Sequence, residues 1–126
     1  MVASPFKAYG IRGRIGENLD EDLAYRLGRA VSQRMQPGRV VAGRDTRERS
    51  AGLQDALMRG LADGGSDVFD IGLCGTEEVY FDTDHLRAGA GVMVSASHNP
   101  IDYNGMKLVG AEAWPLPDAV FSRLRP

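Results

Sequence analysis

Apolar positions along the chain follow two different periods, and the switches between them mark the elements. Leu23, Leu27, Val31 and Met35 recur every fourth residue, which predicts one buried face of a helix ending near Met35. Asn18 and Glu21 have the spacing of a capping box at its start, and Pro37-Gly38 stops it. The acids at 20, 21 and 22 and the arginines at 26, 29 and 34 are distributed as the helix dipole favours. The continuous apolar run Val40-Val41-Ala42 then reads as a buried strand, with Gly43-Arg44-Asp45-Thr46-Arg47 as the loop at its carboxyl end. A second helix is predicted from a Ser50 cap, with Leu53, Leu57 and Leu61 on one face and Gly64-Gly65 at its end. Residues 68–71 form a second strand followed by a loop over 72–75. Thr76 caps a short helix to about His85, with Glu77 and Glu78 in its first turn. Ala90–Val94 is the third strand.

Alternation of strands with helices predicts an α/β domain of three layers, α/β/α, around parallel strands. The pattern changes after Val94. The next strand candidate, 106–109, follows about eleven residues later with no helical period between. A parallel crossover needs a dozen or more residues, usually helical. The expected sheet is therefore mixed and four-stranded, its last strand antiparallel and its connection the polar turn Ser95-Ala96-Ser97-His98-Asn99-Pro100. Asn104-Gly105 reads as a tight turn just before that strand. Glycines at 10, 13 and 16 break any helix near the start and suggest short extended pieces joined by turns. A last short helix carrying Val120, Phe121 and Leu124 could be capped by Asp118.

Composition adds bounds. A chain of 126 residues reads as one domain, and its 43% hydrophobic and 25% charged residues are ordinary globular values. A net charge of −2 argues against nucleic acid or a membrane held by bulk charge. The single Cys74 excludes an internal disulfide and fits a reducing, cytoplasmic setting. The first residues lack the apolar segment of a signal peptide, and no run reaches the length of a membrane helix.

In open α/β sheets ligands bind beyond the carboxyl ends of parallel strands. Loops 43–48, 72–76 and 95–105 meet that description and supply Arg44, Arg47, Thr76, Ser97, His98 and Asn99, with Lys107 across the turn. Cations, hydroxyls and free backbone amides on one edge suit an anion, most simply phosphate. Each residue also has a bland reading. Ser97 can serve as a turn serine, His98 as a solvated loop histidine, and the arginines of 39–49 as a solvated or locally paired face from which Arg44 stands apart at a strand end. A Ser-His-Asp hydrolase does not fit, because Ser97 is flanked two positions away by Ser95 and Asn99 and lacks the G-x-S-x-G elbow. Neighbouring side chains on extended backbone point apart, so His98 is poorly placed as a direct base for Ser97. Two histidines and one cysteine cannot close a zinc site of the usual types.

Together these segments resemble the first domain of the α-D-phosphohexomutases, most closely the bacterial phosphomannomutase/phosphoglucomutase group. The resemblance is carried by Tyr9 with Ile11-Arg12-Gly13, by Gly43-Arg44-Asp45-Thr46-Arg47 and by Asp70-Ile71-Gly72-Leu73-Cys74-Gly75-Thr76-Glu77-Glu78-Val79-Tyr80-Phe81. It continues in Ala96-Ser97-His98-Asn99-Pro100 and in Asp102-Tyr103-Asn104-Gly105-Met106-Lys107. It runs from about Phe6 to Val109, and residues 110–126 fit it poorly.

The resemblance implies that Ser97 carries a phosphoryl group, with Mg²⁺ bound through that phosphate. It further implies that hexose 1- and 6-phosphates are interconverted through a bisphosphate intermediate. Lys107, Arg12 and His98 would line the catalytic site, with Tyr9, Asn99 and Arg44 on the substrate side. Phosphoryl transfer depends on positioning and on offsetting charge, which suits such a set. One departure stands out: Gly10 occupies the position of an acid in the family's Tyr-Asp-Ile-Arg-Gly pattern, which could loosen the loop that holds Arg12. The complete enzymes of the family have four domains. The expectation is thus a phosphoserine domain without mutase turnover of its own, able to self-associate through uncovered faces. The alternative is a non-catalytic module that binds phosphate or assembles with a partner.

Overall fold

The computed structural model describes residues 6–7, 10–16, 19–95 and 103–114, and at positions 6, 7, 10, 12 and 14 the backbone only. The elements follow as β1 (Phe6–Lys7), β2 (Gly10–Arg14), α1 (Glu21–Met35), β3 (Arg39–Arg44), α2 (Ser50–Asp63), β4 (Asp67–Leu73), α3 (Thr76–His85), β5 (Ala90–Val94) and β6 (Tyr103–Gly110). A short 3₁₀ turn, Ala111–Ala113, follows β6. The predicted last helix near Asp118 lies outside the described residues.

The four expected strands are present in a mixed sheet, with β3 parallel to β4 and β5, and β6 antiparallel to β5. The sheet is larger than expected. Its order is β1-β2-β6-β5-β3-β4, because the glycine-rich segment near the start adds two antiparallel strands beyond β6. Glycines hid this from the apolar pattern, but Ile11 is a buried anchor opposite Met106.

The strand order dictates the layering. Going from β3 to β4 moves the chain outward, and going from β4 to β5 carries it back across β3. Right-handed crossovers therefore put α2 and α3 on opposite faces. Val40, Val92, Val94, Met106 and Leu108 face α1 and α2, packing with Leu23, Leu27, Val31, Leu53, Leu57 and Leu61. The intervening residues Val41 and Met93 face the other way and pack with Val79 and Ala88 around α3.

Local chemistry sets the helix ends. The N-cap of α1 is Asp20, whose carboxylate accepts from the Leu23 N–H at 2.8 Å. The expected cap Asn18 lies outside the described residues. At the other end Gln36 takes the left-handed conformation, φ 49°, ahead of Pro37. Ser50 does not cap α2 with its side chain. It is the first helical residue, and its hydroxyl turns to Asp45 instead. Thr76 likewise opens α3 rather than capping it, and the Glu78 carboxylate accepts from the Gly75 N–H. Asn104-Gly105 is not a turn but lies inside β6, paired with Gly13 and Arg12.

Helices α1 and α2 touch backbone to backbone. A methyl group at Gly28 would land on the Leu57 carbonyl, and one at Gly60 on the Tyr25 carbonyl.

Candidate functional site

Residue 97 belongs to the connection between β5 and β6, and Ser97, His98 and Asn99 lie outside the described residues, as does Tyr9. What is described is the frame on which that connection is mounted. Ser95 leaves the end of β5 with its N–H donating to the Gly105 carbonyl at 2.9 Å, and the Asp45 N–H donates to the Val94 carbonyl at 3.0 Å. On the returning side, the Arg47 guanidinium donates to the Tyr103 carbonyl at 3.2 Å. The Asn104 amide donates to Ser50 Oγ at 2.9 Å, and Asn104 Oδ1 accepts from the Gly105 N–H at 2.8 Å.

These bonds converge on Asp45. Its Oδ1 accepts from the Ser50 hydroxyl at 2.5 Å and from the Arg47 N–H at 3.1 Å, while Oδ2 lies 3.8 Å from Arg47 Nε. Ser50 and Asn104 are almost completely buried. Arg47, expected on a solvated or locally paired face, pairs locally with Asp45 and also reaches the Tyr103 carbonyl across the site. The sequence placed Asp45 on the loop and Ser50 at the helix start, but read Asn104 as part of a turn rather than of β6. It gave no sign that they bond to one another, because such partners are distant in the chain.

A second polar cluster holds Arg44. This residue ends β3, and Nη1 donates to Gln54 Oε1 at 3.2 Å. Gln54, buried in α2, donates in turn to the Ala42 carbonyl at 3.0 Å and to Asp70 Oδ1 at 2.9 Å. Asp70 Oδ1 also accepts from the Gly72 N–H at 2.8 Å. Here the β3–β4 register shifts between Ala42 and Gly43, and Gly72 adopts φ 68°, a conformation open to glycine. No carboxylate among the described residues pairs with Arg44, so its remaining donors suit an anionic ligand.

The expected cations do not share one face. Arg44 neighbours Val94 in register and reaches the α2 side, whereas half-buried Lys107 sits opposite Met93, on the α3 side and one row further in. The Arg12 backbone pairs with Gly105, the residue that also accepts from Ser95. The structure thus brings the Arg12 backbone, Arg47, Lys107 and the loop ends to the carboxyl edge of the sheet, with Lys107 on the α3 side and Arg44 on the α2 side. Among the described residues no group of three His, Cys, Asp or Glu side chains could hold a metal ion. Cys74 is half-buried against the α3-side core, and burial pushes its thiol pKa up, with the Glu78 carboxylate adding to the shift. That is a packing residue, as expected, not an activated nucleophile.

With this geometry established, comparison with known proteins is decisive. Residues 3–125 match the family model for phosphoglucomutase/phosphomannomutase, alpha/beta/alpha domain I. The chain belongs to this family. The match continues past Val109 to residue 125.

A protein named for phosphohexose mutases in Xanthomonas campestris is 59% identical over 116 residues, covering 92% of this chain and 26% of that protein. A phosphomannomutase from Klebsiella pneumoniae is 58% identical over 111 residues, covering 88% of this chain and 71% of that one. A phosphoglucomutase/phosphomannomutase family protein from Burkholderia thailandensis superimposes with a TM-score of 0.87 at 37% identity. That alignment covers 98% of this chain and 30% of the solved one. The phosphohexomutase domain thus spans about a quarter of the length of most curated relatives it matches. No helix among the described residues is long and apolar enough to cross a membrane.

Proposed function

We propose that this domain supplies the phosphoserine of a phosphohexomutase that interconverts hexose 1- and 6-phosphates. The observation that carries the reading is the mounting of the 96–102 segment. Both of its flanks are fixed by hydrogen bonds at the carboxyl ends of the parallel strands β3 and β5, on an edge that also bears Arg47, Lys107 and the backbone of Arg12. The serine of Ser97-His98-Asn99-Pro100 is the nucleophile in that segment. The names of the relatives support hexose phosphates as the substrate class.

In this reading Ser97 Oγ holds the phosphoryl group, and Lys107, Arg12 and His98 offset its charge. Tyr9, Asn99 and Arg44 contact the sugar phosphate. Phosphoryl transfer gains most from such fixed cations and donors. Mg²⁺ would be held through the phosphate of Ser97 and would neutralise charge on it. The described residues offer no closed ligand set, and the Asp45 carboxylate on the neighbouring loop is engaged by Ser50 and Arg47. The lone thiol supports a cytoplasmic setting.

Exposed Leu73, Phe81 and Trp114 support self-association of the chain. Light scattering should show dimers that a Leu73→Ser/Phe81→Ser variant loses, and a monomer at high concentration would refute them.

Incubation with a hexose bisphosphate and Mg²⁺, read by intact mass, tests the phosphoserine assignment. One added phosphoryl group is expected on the wild-type chain and none on Ser97→Ala. A wild-type chain that stays unmodified would favour a phosphate-binding or assembly module instead.

A further inference from the structure

We propose that Asp45, Ser50 and Asn104 act as a positioning relay for phosphoryl transfer at Ser97, an inference that rests on the reading of Ser97 given above. None of the three needs to touch substrate. Asp45 sits on the β3–α2 loop, Ser50 at the first residue of α2 and Asn104 near the start of β6, so the chain of bonds crosses three elements. Its two outputs are the two flanks of the 96–102 segment. The Asp45 backbone holds the end of β5 through Val94, and its carboxylate reaches the start of β6 through Ser50 and Asn104. Arg47, bonded to the same carboxylate, adds a hold on the Tyr103 carbonyl.

Packing alone does not call for this arrangement. Ser50 is 0% and Asn104 1% exposed, and burying two polar side chains brings no advantage over an apolar pair in a well-packed core. What a fully satisfied polar network adds is a single geometry. Here that geometry fixes where the chain leaves β5 and re-enters β6. In the transfer itself, the bond from Ser97 Oγ to phosphorus forms as the ester bond of the donor breaks. The serine hydroxyl proton ends on the sugar oxygen that the phosphoryl group leaves. In-line displacement is sensitive to placement, and a misplacement of about 1 Å can cost up to about a hundredfold in rate.

The test follows the labelling rate of the chain with a hexose bisphosphate and Mg²⁺ across donor concentrations. Asn104→Ala and Asp45→Ala should each lower the saturating rate by about tenfold to a hundredfold. The half-saturating donor concentration should stay within a few-fold of wild type. Asp45→Asn keeps an oxygen acceptor for Ser50 and Arg47 and should recover most of the rate. The double variant Asp45→Ala/Asn104→Ala should be no slower than the slower single one, as expected of groups that act as a unit.

Val31→Ala, in the core between α1 and α2, serves as the stability control: it should lower the melting temperature and leave the labelling rate unchanged. The relay is overturned if Asn104→Ala labels at the wild-type rate, or if rate loss merely tracks melting temperature through Val31→Ala. Should Asn104→Ala not fold, the Asp45→Ala and Asp45→Asn pair, on a partly exposed loop, decides alone. A wild-type chain that takes no label removes the Ser97 reading, and the relay with it.

Discussion

The two faces of the sheet are built differently. On the α1/α2 side, leucines from two helices interlock over valines and a methionine from β3, β5 and β6. Both polar clusters, Arg44–Gln54–Asp70 and Asp45–Ser50–Asn104, attach to α2 through a buried side chain, Gln54 or Ser50. On the α3 side the core shrinks to Val41, Val79, Ala88 and Met93, with Ile71, Cys74 and Leu86 at its margin. Glycines replace side chains there: a methyl at Gly91 would land on the Thr83 hydroxyl, and one at Gly43 would stand 2.5 Å from Cys74 Sγ. Helix α3 also leaves Phe81 and Tyr80 exposed. The contrast teaches which face serves as foundation. The connection between β5 and β6 has its two flanks braced from the thick side, where rigid packing lets polar bonds hold one geometry.

The sharpest way to break this comparison is to add one methyl group to each side. Gly60→Ala forces backbone against backbone between α1 and α2, and should cost about 3 kcal/mol or more. Gly91→Ala meets a threonine side chain and should cost less, about 1–2 kcal/mol. Urea unfolding of both variants measures the difference, and equal losses would dissolve the distinction between faces.

A smaller effect should follow Gln54→Leu, which leaves the Ala42 carbonyl and the Arg44 guanidinium without their partner. The expected loss is about 1–3 kcal/mol, together with weaker protection of Arg44 and Gly72 amides in hydrogen exchange.

The smallest effect belongs to the α3 side. Because the folded state raises the Cys74 pKa, the native thiol keeps its proton where the unfolded one begins to lose it. The unfolded state then binds fewer protons, so stability is unaffected below about pH 8.5 and falls slightly as pH rises above it. Cys74→Ala should remove that slope. Thiol alkylation should also run more slowly in the native chain than in the unfolded one.

Much of this architecture could be read in the sequence, for identifiable reasons. The fourfold spacing of Leu23, Leu27, Val31 and Met35 gave α1, and the short apolar runs gave β3, β4 and β5. The shortness of the connection after Val94 gave the antiparallel β6. The extended pieces near the start were expected, but their place in the sheet was not, because the glycines of β2 suppress any period and the strand is held by pairing with β1 and β6. Ser50 and Asn104-Gly105 were misread for one shared reason. Local rules assign such residues to caps and turns, whereas here their partners are each other and Asp45, more than local spacing can reveal. The division of Arg44 and Lys107 between faces was equally hidden, since it depends on strand register.

The account rests most heavily on one atom, Ser97 Oγ. The direct measurement is peptide mapping of the wild-type chain after reaction with a labelled hexose bisphosphate. The account predicts a single phosphoryl group on Ser97, stable enough to isolate and absent from Ser95. Label on Ser95, or label spread over both serines, would contradict it.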